Sequence, residues 1–181
     1  MFEKFSINKH KYLKFPKSGS MRQLQEIISL NDIPLNETYA SQHDNLHEVF
    51  ENIFYKRRLE YPYSLVEELI GKSKPVILEL KNYHDRERPN VGAKRWGIKL
   101  KYFHMDSAQT PAFPSGHSAQ AKLVANVLSD MYPMHTAELQ QAAENISNSR
   151  LVSRVHYKSD TEAGKKLGDD LYNHYKKVPK N

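Results

Sequence analysis

The sequence predicts an all-α fold, a single-domain helical bundle. Three observations predict the bundle. Apolar residues recur at three- and four-residue steps in one segment after another, strand signals are scarce, and 181 residues suit one domain with its own core but not two. A hydrophobic content of 39%, spread along the chain, is that of a globular protein rather than a disordered one.

The first twenty residues are weakly periodic and end at the turn-like "PKSGS", whose last residue, Ser20, can cap the next segment. Leu24, Ile27, Ile28 and Ile33 then suggest a short amphipathic helix ending between Asn31 and Pro34. In "NLHEVFENIFYKRRLE", Leu46, Val49, Phe50, Ile53 and Phe54 share one face, and Tyr61 and Pro62 stop the helix. The stretch from Pro62 to Pro89 reads as two helices split at Gly71 to Pro75. Residues 90–113 lack a helical period and read as a long loop, with "IKLKYF" a short strand at best. A helix opened by Ser115 carries Leu123, Val124, Val127, Leu128 and Met131 and stops before Pro133. Another starts near Thr136, and the last starts near Asp160 with Ala163, Leu167, Leu171 and Tyr175 in register. No repeat, low-complexity tract or linker divides residues 1–181, so helices within 20–80 are expected to complete one bundle with the rest.

A net charge of +6 favours anionic partners, but acids are interleaved with the bases, which argues against a nucleic-acid stripe and for small phosphorylated molecules. The chain has no cysteine, so disulfides say nothing about compartment. Charges interrupt the N-terminal "MFEKFSINKHKYLKF", and no run nears the roughly 20 apolar residues of a membrane helix. A soluble protein without integral membrane association is expected: cytoplasmic as written, periplasmic if the chain is a processed mature form. There is room for a homo-oligomer.

Three charged clusters sit at helix ends. In "KNYHDRERP", Lys81 and Arg88 straddle a helix C-terminus, where cations also serve simply to oppose the dipole. In "FPSGH", Gly116 permits close backbone approach and the first-turn amides can hold phosphate oxygens, with His117 beside them as a proton donor. Ser115 would also serve as an ordinary cap. In "SRLVSRVHYKSD", Arg150, His156 and Asp160 could form an exposed ion-pair patch. Each cluster alone has this plain explanation.

Together their spacing carries more. Lys81, six residues, Arg88 and Pro89 are followed by Pro114, Ser115, Gly116 and His117, then by Ser149, Arg150, five residues, His156, three residues and Asp160. This resembles the three-part signature of the type 2 phosphatidic acid phosphatase superfamily, and "RERP", "FPSGHSA" and "SRVHYKSDTEAG" are similar to the soluble class A bacterial acid phosphatases.

The resemblance implies a helical bundle with the active site at the ends of the central helices, and a metal-independent phosphatase of small soluble phosphate monoesters. It implies no cofactor, with vanadate as an inhibitor or phosphate mimic. Lys81, Arg88, Arg150, Ser115 and the Gly116 amide would bind the phosphate oxygens, as a dianionic ester requires cations and oriented donors. His156 would be the nucleophile forming a phosphohistidine, Asp160 would fix its tautomer, and His117 would protonate the leaving oxygen. Arg86 resembles a second basic position of the acid phosphatase subset and is expected to line the entrance; Arg154 matches no signature position. His84, Asp85, His104 and Asp106 lack metal-ligand spacing and are expected on the surface or rim. Two other readings use the same residues: a vanadium-dependent haloperoxidase, since vanadate mimics phosphate, and a non-catalytic phosphate-binding module.

Overall fold

The computed structural model describes residues 1–178. Its helices are α1 (Asn8–Lys11), α2 (Met21–Asp32), α3 (Glu37–Gln42), α4 (Leu46–Arg57), α5 (Tyr63–His84), α6 (Pro89–Arg95), α7 (Gly116–Met131), α8 (Thr136–Val152) and α9 (Lys158–Tyr175), with short 3-10 turns at Asp106–Ala108 and Pro133–His135. Among the described residues there is no strand, and no helix is long and apolar enough to cross a membrane. The all-α fold class is as the sequence predicts.

Polar caps start several helices where the chain must turn. Ser20 accepts from the Gln23 amide as expected, and Asn36 and Asn45 do the same for α3 and α4. Helix α7 is the centre of the bundle, packed along α8 and α9 and against α5. Its Leu123, Val124, Val127 and Leu128 are buried with Phe50 and Phe54 of α4, Leu69 and Leu80 of α5, Leu139 and Ile146 of α8, and Leu167 and Leu171 of α9. Two α9 glycines allow its close approach to α7: a Cβ at Gly164 would lie 2.4 Å from the Ser115 carbonyl oxygen, and one at Gly168 2.5 Å from that of Ala119.

Four expectations need correction. The stretch expected as two helices is one continuous helix, α5, with Pro75 inside it. A proline in a helix interior costs about 3 kcal/mol. Here Val66, Leu69, Val76, Ile77 and Leu80 all bury one face, and that shared burial outweighs the break. Residues 90–113 are not all loop: Pro89, at the first helical position, opens α6, which buries Gly92 and Ala93. The short helices α1 and α3 lie where no helix is expected. Finally, Ile28 and Met131 are exposed, while Ile27 of the first stripe and Leu123, Val124, Val127 and Leu128 of the second are buried.

Candidate active site

Helix ends converge on one polar cluster. Lys81 lies in the last turn of α5, Arg88 caps α6, Ser115 caps α7, Arg150 lies in the last turn of α8, and Asp160 lies in the first turn of α9. The link from α8 to α9 is folded by Arg150 itself, whose carbonyl accepts the amides of Val155 and His156. Arg154 takes a left-handed conformation there, and its guanidinium donates to the carbonyls of Asn31, Ile33 and Lys101. It is a structural tie to the end of α2.

His156 is buried between two groups. Its Nδ1 lies 3.2 Å from Asp160 Oδ2, and its Nε2 lies 2.9 Å from Arg88 NH1. A guanidinium donates only, so Nε2 is the acceptor and Nδ1 carries the hydrogen given to Asp160. Burial first, then Arg88, Lys81 and Arg150, hold His156 well below the ordinary histidine range. Its imidazole is neutral, with the Nε2 lone pair on the side of the cations.

Asp160 is fully buried. Its Oδ2 also accepts the Tyr157 amide at 2.9 Å, and Oδ1 accepts Arg86 NH1 at 2.5 Å. Burial pushes its pKa up, and Arg86 opposes that shift. The Asp160 carbonyl accepts the Ser115 amide at 2.9 Å, which fixes the start of α7 to the start of α9. Ser115 Oγ takes the Ser118 hydroxyl at 3.0 Å and the Ser118 amide at 3.4 Å. A Cβ at Gly116 would lie 3.4 Å from Ile77 and 3.7 Å from Lys81, both ordinary contacts, so packing alone does not demand glycine there.

The cations are constrained too. Lys81 donates to the Pro111 carbonyl, and burial, with Arg88 second, lowers its pKa to about 7. Arg88 donates to the carbonyls of Thr110 and Val155, and burial lowers its pKa to about 10. Arg150 is fully buried and pairs with Asp44 through NH1, while NH2 donates to Ser107 Oγ at 3.1 Å. His117 Nε2 faces the carbonyl oxygen of Asp44 at 3.1 Å and its Oδ1 at 3.2 Å, so this nitrogen carries a hydrogen. Burial and Arg150 lower the His117 pKa, and Asp44 opposes them.

The structure thus gathers Lys81, Arg88, Ser115, Gly116, His117, Arg150, His156 and Asp160 around one locus. It corrects the expectation for Arg86, which is not at an entrance: it is buried, bridges Asp160 to Glu26 of α2, and stacks over Tyr157 and Phe15. Of the surface candidates, His104 and Asp106 are exposed, Asp85 ends α5, and His84 is half-buried with Nε2 3.0 Å from the His10 carbonyl. Among the described residues, no three His, Asp or Glu side chains group to hold a metal ion. Sequence reasoning missed Asp44, Glu26 and Ser107, none of which sits in a motif.

No family model matches the chain. The non-specific acid phosphatase of Salmonella typhimurium is 37% identical over 57 residues, covering 32% of this chain and 23% of that protein. An acid phosphatase of Zymomonas mobilis is 31% identical over 84 residues, covering 46% and 31%. Over these segments the chain resembles acid phosphatases. The alignments span about a quarter to a third of the length of these curated relatives. Among solved structures, a transmembrane PAP2-type phosphatidylglycerolphosphate phosphatase from Bacillus subtilis aligns with a TM-score of 0.46 and 19% identity, over 94% of this chain and 81% of that one.

Proposed function

We propose that this protein is a metal-independent phosphatase that hydrolyses small soluble phosphate monoesters through a phosphohistidine intermediate. One observation carries the reading: Arg88, His156 and Asp160 form a hydrogen-bonded series that leaves His156 neutral, with the Nε2 lone pair facing cations. A phosphoryl group drawn to Lys81, Arg88 and Arg150 would meet that lone pair in place of the Arg88 hydrogen. Ser115 Oγ and the Gly116 amide would complete its oxygen contacts.

In the first step Nε2 attacks phosphorus, the ester P–O bond breaks, and the leaving oxygen takes the Nε2 hydrogen of His117. Asp160 stabilises the imidazolium character that develops on His156. In the second step water attacks the phosphohistidine, His117 accepts a water proton, the P–N bond breaks, and inorganic phosphate leaves with His156 neutral again. Neither step needs a cofactor, and vanadate would inhibit by taking the five-coordinate geometry of the transition state.

The test is hydrolysis of p-nitrophenyl phosphate with and without EDTA, followed by acid-quenched labelling. Activity is expected to survive chelation. His156→Ala should form no base-stable phosphoenzyme. His117→Ala should still form it, because p-nitrophenol leaves with little help, and should accumulate it for want of a base. Loss of activity on chelation with recovery on adding a divalent metal, or labelling of His156→Ala but not of His117→Ala, overturns the mechanism.

A further inference from the structure

We propose that Asp44 is a built-in anion of the phosphate site, whose carboxylate holds the position of one phosphate oxygen between Arg150 and His117 and is exchanged for substrate. The inference rests on the phosphatase reading. Three donors converge on Asp44 Oδ1: Arg150 NH1 at 2.5 Å, Ser107 Oγ at 3.0 Å and His117 Nε2 at 3.2 Å. They come from α8, from the 3-10 turn and from the first turn of α7, so nothing local to Asp44 assembles them. Convergence of a guanidinium, a hydroxyl and an imidazole on one oxygen is what a phosphoryl group asks of its site.

Two further observations mark the carboxylate as a replaceable occupant. Arg150 is fully buried, yet its Nε has no partner, so Asp44 engages the guanidinium through NH1 alone. A tetrahedral group with three oxygens has more to offer that fork than Asp44 does. Asp44 is also the exposed member of the pair, with 34% of its side chain accessible against none for Arg150. It lies on the link between α3 and α4, just before the α4 cap Asn45, so its side chain can swing out without unwinding a helix.

The exchange has a physical purpose. A buried guanidinium with no counter-charge is costly, and Asp44 covers it between turnovers. When inorganic phosphate forms, the returning carboxylate competes for the same donors and aids release. Asp44 is therefore a positioning residue that sets how tightly the site holds phosphate.

The experiment is calorimetric titration of the full chain and of Asp44→Asn with inorganic phosphate and with vanadate, beside steady-state kinetics. Asp44→Asn should bind both anions more tightly, on the order of fivefold, the size expected for a competitor that is a third exposed and so partly screened. It should show a lower KM, stronger inhibition by phosphate and no gain in kcat. A merely structural Asp44 would loosen binding when changed, so tightening is diagnostic. Asp44→Ser serves if Asp44→Asn does not fold. If the unaltered protein binds and hydrolyses phosphate esters but both variants bind phosphate equally or more weakly, the inference is overturned and the phosphatase reading stands. If neither protein nor variants bind phosphate or turn over ester, both fall.

Discussion

Adding one methyl group at Gly164 tests how the site is held together. The substituted Cβ would stand 2.4 Å from the Ser115 carbonyl oxygen, 2.9 Å from Ser118 Cβ and 3.3 Å from the Ala119 nitrogen, where ordinary contact begins at 3.4 Å. The nearest neighbour is backbone and cannot turn aside, so α9 must move off α7 by about 1 Å, the difference between 3.4 and 2.4 Å. Overpacking of this kind costs about 1–3 kcal/mol. At about 2–4 °C per kcal/mol for a chain of this size, Tm should fall by roughly 2–12 °C. The same displacement separates Ser115 from Asp160, and a misplacement of about 1 Å can cost on the order of a hundredfold in rate. Thermal unfolding followed by helical circular dichroism gives the first number, and turnover of p-nitrophenyl phosphate below Tm gives the second. Gly71→Ala is the control: nothing lies within 4 Å of its Cβ, and a helix-interior glycine replaced by alanine should stabilise by roughly 0.5–1 kcal/mol. If Gly164→Ala melts and turns over like the unaltered protein, the close α7–α9 approach does not position the site.

Proton linkage gives a second test. Lys81, at about 7, is largely neutral at pH 8 and should take up a proton when an anion binds beside it. Calorimetry of phosphate binding at pH 8 in buffers of different ionisation enthalpy should show net uptake; release contradicts the placement of the anion near Lys81. The proposed mechanism needs His117 protonated and His156 neutral, and burial lowers both, so the pH profile of kcat/KM should be bell-shaped with its maximum below about 6.5, and a flat profile between pH 4 and 9 refutes the pairing. Arg86→Ala should lower kcat and, by removing the cation that opposes the rise of Asp160, move the acid limb to higher pH, with part of the activity returning in Arg86→Lys. Loss of stability with kcat and the acid limb unmoved would make Arg86 structural only.

The helical class and the outline of the site are legible in the sequence because they rest on local rules. Leu123, Val124, Val127 and Leu128 show their face by spacing, and Ser20 and Ser115 are capping residues at segment starts. The signature residues lie near chain breaks, where helix ends present them. Other features have no local trace. Pro75 signals a break that the common burial of Val66 and Leu80 overrides. Asp44 is one acid in a turn until Arg150, 106 residues later, comes to face it. Arg86 is expected at the entrance rather than in the interior because its partners, Glu26 and Asp160, lie 60 and 74 residues away. Helix α6 differs from these, since Pro89 at its first position is a local cue.

The reach of Arg86 to Glu26 and of Arg150 to Asp44 divides the molecule electrically. Residues from Lys81 onward bring four cations to the cluster, Lys81, Arg86, Arg88 and Arg150, against one carboxylate, Asp160. The balancing acids, Glu26 and Asp44, come from the N-terminal third. That third is thus the counter-ion of a cationic half. The signature-bearing segment made alone would face its own repulsion, and a polyanion in solution could take the place of the missing acids. The early helices that carry no motif are what allow so much positive charge to be buried in one place.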